Sequence, residues 1–394
     1  MRDLLQQARD FSSDLVRLRR DLHRHPELSF HETRTAGIAA DAVETLGFDT
    51  RRGVGGHGVV AEWSGGAGPT VALRADMDAL PIAETNDVDY RSTEDGVMHA
   101  CGHDAHTTML VGAARLLAAA GEAGTLPAGT IRLLFQPAEE KADADNRSGA
   151  THLVDDGAMA GVDAVFALHV GPHLPAGKVF TREGGIMAGS DTFTAHVGGS
   201  ASHGARPDRG VDAIVLAAQV VLAAQSAVAR RISPMASGVL TIGTIRGGTA
   251  ENIIADRVAM EGTLRYFDPE VRQRLRSALE DALRTADAQG GHHRLELREG
   301  YPPTLNDPAM TRLAADAARE VLGRDGVWDA EPMMGTEDFA ILLDQAPGAL
   351  LWLGAAPADR PRELHRPDMD IDESVLPIGA AVLASCAIGR LAAD

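Results

Sequence analysis

The sequence is poor in cysteine, in basic residues and in long apolar runs. Its 394 residues include only two cysteines, Cys101 and Cys386, too few for the disulfide framework of a secreted protein, so we expect a reducing, cytoplasmic setting. There are 37 Lys and Arg against 56 Asp and Glu, which gives a formal net charge of −19. Such an acidic chain repels phosphate backbones and anionic lipid headgroups, so nucleic acids and membrane surfaces are poor candidate partners.

No stretch of the sequence is typical of a membrane span or a targeting segment. The longest apolar stretch, residues 214–229, contains two glutamines and is shorter than the ~20 residues that cross a bilayer. We interpret it as a buried, alanine-rich helix of a globular domain. Residues 4–22 carry apolar side chains at helical spacing with charges between them, which predicts an amphipathic first helix rather than a signal peptide.

Two different orders of secondary structure follow one another along the chain. Up to residue 186, strands rich in Val, Ala and Leu alternate with helices, which is typical of an α/β fold with a mainly parallel sheet and helices on both faces. Residues 187–298 instead show the order βαββαβ, the ferredoxin-like arrangement. Residues 299–394 return to the first pattern. The sequence therefore predicts a domain over 1–186 and 299–394 that is interrupted by an inserted α+β domain.

Side chains that can bind a metal occur at four predicted strand ends and at one helix start. They are Asp76, Asp78, His99, Cys101, His103, Asp104, His106, Glu139, Glu140, His169 and His365. Because parallel strands end at the same edge of a sheet, we expect these side chains to converge. Imidazole, thiolate and carboxylate together suit Zn, Mn, Co or Ni, and the number of donors favours two metal ions. The adjacent glutamates offer one ligand and one general base.

Each motif has a simpler interpretation when it is taken alone. The run from His99 to His103 is compatible with a helix-capping loop, and His169 with a histidine whose hydrogen bonds are satisfied in the core. The pair Glu139-Glu140 is compatible with a solvated turn, and His203 with a surface loop. Convergence favours the metal site, since chance polar residues would scatter over both edges of the sheet.

Nine runs of the sequence occur in the order found in one known family. They are DLHRHPELSFHET, LRADMDALP, MHACGHDAHTTMLVGAARLL, LLFQPAEE, FALHV, SHGARPDRGVD, GGTAENIIAD, GTEDFA and LHRPDMDID. From about residue 20 to residue 390, the chain resembles the M20 metallopeptidase family, and most closely its amidohydrolase branch, which includes aminoacylase, hippurate hydrolase and indole-3-acetyl-amino acid hydrolase. The resemblance implies a two-metal catalytic domain with an inserted lid domain. It also implies hydrolysis of N-acyl-L-amino acids to a carboxylic acid and a free amino acid.

The resemblance further implies the roles of individual residues. It assigns the metal ligands to Cys101, His103, Glu140, His169 and His365, and the general base to Glu139. Where the family often has a His-x-Asp run, this chain has Asp76-Met77-Asp78. We infer that His103 supplies the missing imidazole and that Asp78 orients it. The Cys101 thiolate is a candidate bridge between the two metals.

The inserted domain contributes candidate substrate contacts by the same resemblance. His203 corresponds to a lid histidine that approaches the scissile carbonyl, often from a partner subunit, and Asn252 to a residue that holds the substrate carboxylate. Arg265 is a second candidate for that carboxylate. The resemblance also implies a homodimer through the lid domain. The stretch KADADNRSGA, after the glutamate pair, departs from the glycine-rich sequence of many relatives.

Two alternative functions stay open at this point. A metallo-dipeptidase or carboxypeptidase of the same fold would apply the same chemistry to a peptide substrate. A protein that binds amino acids or peptides through its metals, without turnover, would not need a base beside them. Glu139 argues against this second alternative.

Overall fold

The computed structural model describes residues 4–393, which divide into two compact units. The main unit contains residues up to 186 together with 304–331 and those from 338 onward. The inserted unit contains Met187–Pro303 and Pro332–Glu337. It extends beyond the expected 187–298 because Ser190 exchanges backbone hydrogen bonds with residues 300 and 301, and because the Ala188 N–H contacts the carbonyl of Met333. Local sequence patterns do not reveal that a later segment of the chain packs back on the inserted unit.

Strands and helices alternate along most of the chain. The strands are β1 (Asp49–Val54), β2 (Gly58–Ser64), β3 (Thr70–Asp76), β4 (Thr130–Gln136), β5 (Ala164–Gly171), β6 (Val179–Thr181), β7 (Gly184–Met187), β8 (Gly189–Gly198), β9 (Ser202–His203), β10 (Gly238–Gly247), β11 (Ile253–Ile254), β12 (Arg257–Tyr266), β13 (His292–Glu299), β14 (Thr304–Asn306), β15 (Val327–Asp329) and β16 (Gly348–Gly354). The α-helices are α1 (Leu4–Asp10), α2 (Ser12–Arg24), α3 (Thr33–Thr45), α4 (His103–Glu122), α5 (Gly149–Asp155), α6 (Ala213–Arg231), α7 (Pro269–Asp287), α8 (Pro308–Leu322), α9 (Phe339–Leu343) and α10 (Leu376–Ala392).

The main unit is built on an eight-stranded sheet with the order β1-β2-β4-β3-β5-β16-β6-β15. Its central strands β4, β3, β5 and β16 run parallel to one another, while β1, β2 and β6 add antiparallel neighbours. Strands β5 and β16 are buried along their whole length, as expected for strands covered on both faces. The predicted mainly parallel sheet is confirmed, and the carboxyl ends of four central strands lie at one edge.

Alanine-rich helices pack on the sheet of the main unit. Helices α4 and α10 are buried over most of their length, and Cys386 lies within α10, where burial raises its pKa to about 12. The prediction of one continuous first helix is wrong. The chain leaves helical geometry at Phe11, which separates α1 from α2, and the Phe11 ring is buried there next to the Arg115 guanidinium.

The inserted unit has the order β8-α6-β10-β12-α7-β13. These four strands form an antiparallel sheet in the order β10-β12-β8-β13, so the ferredoxin-like arrangement is confirmed. The interpretation of residues 214–229 as a buried helix is wrong in part. One side of α6 packs on the core, but Ile214, Val215 and Leu222 are exposed. Composition alone does not show which apolar side of an alanine-rich helix has a partner.

Two helices of the described residues are apolar and long enough to meet the length and composition criteria of a membrane span. They are α6 and the segment Glu373–Ala392 that contains α10. Core helices of globular proteins meet the same criteria, and 72% of the apolar window in the second helix is buried.

Candidate metal centre

The predicted ligands come from different elements of the main unit. Asp76 ends β3, and Glu139 and Glu140 follow β4. His169 lies within β5, and His103 begins α4. The loop after β16 carries His365, whose side chain is 52% exposed, whereas Cys101, His103 and His169 are buried. The topology therefore brings residues that are distant in sequence to one edge of the sheet.

The donor atoms of the five predicted ligands form two groups that share Cys101. One group joins Cys101 with His103 and His169, the other joins it with Glu140 and His365, and within each group all donor atoms lie within 4.8 Å of one another. The Cys101 Sγ lies 3.5 Å from His169 Nε2, and His365 Nε2 lies 3.2 Å from Glu140 Oε1. Glu139 forms a further group with His103 and Glu140.

In each buried histidine of these groups, one ring nitrogen has a hydrogen-bond partner in the protein. His103 Nδ1 lies 3.1 Å from Asp78 Oδ1, and His169 Nδ1 lies 2.9 Å from the Val170 carbonyl oxygen. A proton on Nδ1 leaves Nε2 as an electron-pair donor, which is the arrangement of metal-binding imidazoles. His103 Nε2 is buried and has no hydrogen-bond partner in the described part of the chain. Because buried polar atoms are nearly always paired, this nitrogen fits a bond to a metal.

The centre has an excess of negative charge. Burial lowers the pKa of His103, but the carboxylates of Asp76 and Asp78 outweigh burial and raise it to about 10. Burial and the neighbouring Glu140 and Glu139 raise the pKa of the Cys101 thiol well above its usual range. A divalent cation would supply the positive charge that a thiolate needs here. The sulfur, imidazole and carboxylate donors therefore fit a divalent metal of the Zn, Mn, Co or Ni type.

His106 also lies near these groups, together with Asp76 and His103. Its Nδ1 lies 2.6 Å from Asp76 Oδ1, and its Nε2 accepts a hydrogen bond of 2.9 Å from the Val170 N–H. Asp76 in turn accepts a hydrogen bond from Arg74 Nη1. Both ring nitrogens of His106 thus have protein partners, which favours a structural role. His99 is buried as well, and burial lowers its pKa to about 4, so its imidazole is neutral.

Unusual backbone conformations shape the loops of the centre. Gly102, between Cys101 and His103, has φ +90°, and a Cβ there would lie 2.4 Å from a methyl group of Val170, so only glycine fits. His365 has φ +59°, and its N–H donates to the Ala100 carbonyl oxygen. Such strained residues persist where the surrounding structure determines them and are frequent at functional sites.

The loop that carries the two glutamates is held at three backbone atoms. The Ala138 N–H donates to Glu32 Oε1 at 2.7 Å, and the Ala138 carbonyl accepts from the Gly149 N–H at 2.9 Å. The Glu140 N–H donates to Asp78 Oδ2 at 3.0 Å. A Cβ on Gly149 would lie 1.6 Å from the Pro137 carbonyl oxygen, so only glycine allows this approach.

Sequence analysis did not assign several buried polar residues around the centre. Arg19 Nε and His23 Nδ1 lie 2.9 and 2.7 Å from Asp104 Oδ2, near the start of α4. Glu32 contacts the glutamate loop, as described above. His23 and Glu32 both lie within the run DLHRHPELSFHET, so the signal was present in the motif, but its function required the three-dimensional contacts.

The candidate substrate residues belong to the inserted unit. His203 in β9 pairs with Ile253 in β11, and the Gly204 N–H donates to the Asn252 carbonyl oxygen, so His203 and Asn252 lie on neighbouring segments. His203 Nδ1 accepts from the Ala205 N–H, which leaves the ring proton on Nε2. Arg265 is half-buried in β12 and donates to Thr336 Oγ1 at 3.1 Å. Burial lowers the pKa of this guanidinium.

Comparison with known proteins agrees with these observations. Residues 72–388 match the profile of peptidase family M20/M25/M40. The N-acetyl-L-cysteine deacetylase of Bacillus subtilis is 39% identical over 366 residues, which cover 92% of this chain and 84% of the deacetylase. The IAA-amino acid hydrolase ILR1-like 2 of Arabidopsis thaliana is 36% identical over 388 residues, with coverages of 96% and 85%.

Among solved structures, the YXEP protein of Bacillus subtilis, a dinuclear metal binding peptidase from the M20 family, aligns with a TM-score of 0.84 and 32% identity. The alignment covers 98% of this chain and 99% of that one. The chain belongs to the M20 peptidase family, as its motifs predicted. It is a hydrolase that acts on amide bonds. The family and the donor set together indicate divalent metal ions as its cofactor.

Proposed function

We propose that the protein hydrolyses the amide bond of N-acyl-L-amino acids, with acetyl, benzoyl or similar acyl groups, to a carboxylic acid and a free amino acid. The observation that carries the proposal is the pair of donor groups that share Cys101, with Glu139 next to them. Similarity to a deacetylase of N-acetyl-L-cysteine and to an IAA-amino acid hydrolase supports an acylated amino acid as substrate.

In this proposal the chain would hold two divalent ions, Zn, Mn, Co or Ni, through Cys101, His103, Glu140, His169 and His365, and the Cys101 thiolate is the candidate for a donor shared by both groups. When bound, such ions lower the pKa of water and polarise a carbonyl group. Glu139 accepts the proton of the attacking water and transfers it to the leaving amine. Asp78 orients His103 by accepting a hydrogen bond from its Nδ1.

The inserted unit would bind the rest of the substrate. His203 donates from Nε2 to the oxyanion that develops on the scissile carbonyl. Asn252 and Arg265 hold the substrate carboxylate. Arg265 suits this role because it is a half-buried cation without a salt bridge to a carboxylate in the described part of the chain, and a charge in such a place gains from an anionic partner.

We also propose a homodimer that forms through the inserted unit. The exposed Ile214, Val215 and Leu222 make an apolar face on α6, and β10 is an edge strand of the sheet next to that helix. A second copy of this chain would cover both features, which are otherwise prone to non-specific association. The net charge of −19 argues against nucleic acid or anionic membranes as partners, and the cytoplasm is the proposed location.

The test combines elemental analysis with a substrate screen. The purified protein is loaded with Zn, Mn, Co or Ni and incubated with N-acetyl-methionine, hippurate, indole-3-acetyl amino acids and dipeptides, and the released amine is measured. We expect two ions per chain and cleavage of at least one N-acyl amino acid. Cleavage of dipeptides alone would favour the second candidate, a metallo-dipeptidase or carboxypeptidase, which the M20 peptidase among the similar structures supports. Metal binding without any turnover would contradict both.

A further inference from the structure

Glu32 is a buried carboxylate of the main unit that the proposed reaction does not use. Its Oε1 accepts hydrogen bonds from the Phe30 N–H at 3.0 Å and from the Ala138 N–H at 2.7 Å, whereas Oε2 is buried without a hydrogen bond in the described part of the chain. Burial and the nearby Asp78 raise the pKa of Glu32 to about 7. Ionisation of this carboxyl in the folded state therefore costs free energy.

The hydrogen bond to Ala138 joins two distant parts of the chain at a strained residue. Glu32 directly precedes α3, whereas Ala138 follows β4 and directly precedes Glu139. Ala138 has φ +48°, which residues other than glycine rarely adopt. Such a conformation persists only where its surroundings determine it. Glu32 provides the partner of the Ala138 N–H, and Gly149 provides the partner of its carbonyl.

The segment that carries Glu32 also contacts the loop after β3. Ser29 Oγ donates to Asp78 Oδ2 at 2.6 Å, and the same oxygen accepts the Glu140 N–H. Residues 29–32 therefore contact both Asp78 and the glutamate loop. This places Glu32 within a set of hydrogen bonds that fixes the backbone on either side of Glu139.

We propose that Glu32 is a positioning residue that fixes the orientation of Glu139 by accepting the Ala138 N–H. The inference rests on the proposed role of Glu139 as general base. Glu32 acts through the backbone and does not touch the substrate. Because a displacement of a catalytic group by ~1 Å can lower a rate about 10²-fold, the loss of this hydrogen bond is expected to affect turnover.

Glu27 offers a matched control in the same segment. Its carboxylate also accepts two backbone hydrogen bonds, from the Arg34 N–H at 2.9 Å and from the Thr35 N–H at 2.8 Å. Both donors lie in the first turn of α3, and neither belongs to the glutamate loop. Removal of Glu27 therefore weakens a helix start without removing the partner of Ala138.

The first experiment compares the variants E32A, E32Q and E27A as metal-loaded enzymes, with an N-acyl amino acid that the wild type cleaves. We expect E32A to lower kcat about 10- to 100-fold, with KM changed less than about threefold and the metal content unchanged. E32Q keeps an oxygen acceptor and is expected to recover kcat to within about threefold, and E27A to retain it within about twofold. An unchanged kcat in E32A, or an equal loss in E27A, overturns the proposal.

Hydrogen exchange of residues 136–148 tests the same contact without any substrate. We expect exchange in this loop to be about tenfold faster in E32A and unchanged in E27A. If the wild type cleaves no amide, the proposed function fails, while faster exchange in E32A still supports the Glu32 contact. Unchanged exchange of residues 136–148 in E32A overturns the proposal that Glu32 positions this loop. Should E32A not fold, E32D, whose shorter side chain withdraws the oxygen from Ala138, is expected to show the same losses.

Discussion

The main unit and the inserted unit bury different kinds of side chain. The buried Arg, His, Asp and Glu residues of the main unit are Arg19, His23, Glu32, Arg74, Asp76, Asp78, Glu84, His99, His103, Asp104, His106, Glu139, His169 and Asp338. In the described residues of the inserted unit, such burial is limited to Asp191 and Glu337. The candidate substrate residues His203 and Asn252 are exposed there, and Arg265 is half-buried.

This difference shows that the free-energy cost of buried charged groups falls mainly on the main unit. Burial removes the hydration of an ionisable group, so a unit tolerates many such groups only when they pair with one another or serve a reaction. In the main unit, many of these buried groups lie around one edge of the sheet and pair with one another. The inserted unit instead has an apolar core. Most of its polar groups and the apolar face of α6 are exposed. This contrast agrees with chemistry in the main unit and recognition in the inserted one.

The largest expected effect is that of Glu139→Gln in the main unit. The glutamine cannot accept a proton, so kcat should fall by roughly three orders of magnitude, while the metal content stays at the wild-type level. Turnover of the best N-acyl substrate and elemental analysis of the same samples measure both. Glu140→Gln is the comparison, since it removes a proposed ligand and should lower the metal content. If Glu139→Gln loses metal and Glu140→Gln does not, the two roles are reversed.

Next in size is the effect of Arg19→Met on the stability of the main unit. The Arg19 guanidinium and the Asp104 carboxylate are both fully buried, and removal of Arg19 leaves the buried carboxylate without its guanidinium partner, with His23 as a remaining side-chain contact. We expect a loss of about 3–5 kcal/mol in the free energy of unfolding, measured with urea. The exposed pair of Arg17 and Asp14 gives the control, because water screens this pair and Arg17→Met should lower the free energy of unfolding far less. Equal losses in both variants would break the contrast between buried and exposed charge.

A smaller loss is expected for Asp191→Asn in the inserted unit. Burial opposes ionisation of Asp191, but hydrogen bonds from Arg272 and Arg276 outweigh it and lower the pKa of this carboxyl. Both arginines stay partly hydrated, so we expect a loss of about 1–3 kcal/mol at pH 7.

The pH dependence of this loss follows from the direction of the pKa shift. A lowered pKa in the folded state stabilises the protein above the ordinary pKa of about 4, and the stabilisation is lost as the pH falls below that value. The difference in Tm between wild type and Asp191→Asn should therefore shrink between pH 6 and pH 3. A constant difference would show that the charge of Asp191 does not matter.

The smallest effect on stability is expected for Leu222→Glu on the exposed face of α6. The Leu222 residue is 69% exposed, so the free energy of unfolding should change by no more than about 0.5 kcal/mol. The proposed dimer should nevertheless dissociate, because the new charge would be buried between two copies. Light scattering after size-exclusion chromatography measures the mass. Leu305→Glu, at an exposed leucine of the main unit, should leave the dimer intact. An unchanged mass in Leu222→Glu would contradict a dimer through this face.

Most of the fold was predictable because its elements leave local patterns. The alternation of strands and helices expected before residue 186 is present, with α4 between β3 and β4 and α5 between β4 and β5. His169, expected at a strand end, lies within β5, Ala164–Gly171. The partly exposed face of α6 was not predictable, because the apolar side chains of a helix do not indicate which of them has a partner.

The candidate ligands were predictable because strand ends concentrate them and because the motifs resemble a known family. The supporting contacts were not. Glu32 and Ala138 are separated by 106 positions, and a hydrogen bond from a backbone amide leaves no residue-type pattern at its donor. The same holds for Arg19 and Asp104, whose pairing depends on how α2 packs near the start of α4.

The close approach of Gly149 to Pro137 has a consequence for mutational scanning. Any side chain at position 149 would collide with the carbonyl oxygen of Pro137. Because Pro137 is two residues before Glu139, a backbone shift that relieves the collision would displace the glutamates. In a saturation library scored by turnover, position 149 should thus be as intolerant as the residues that do the chemistry. A ranking of positions by such scores would then classify Gly149 as catalytic, although it has no side chain that could react.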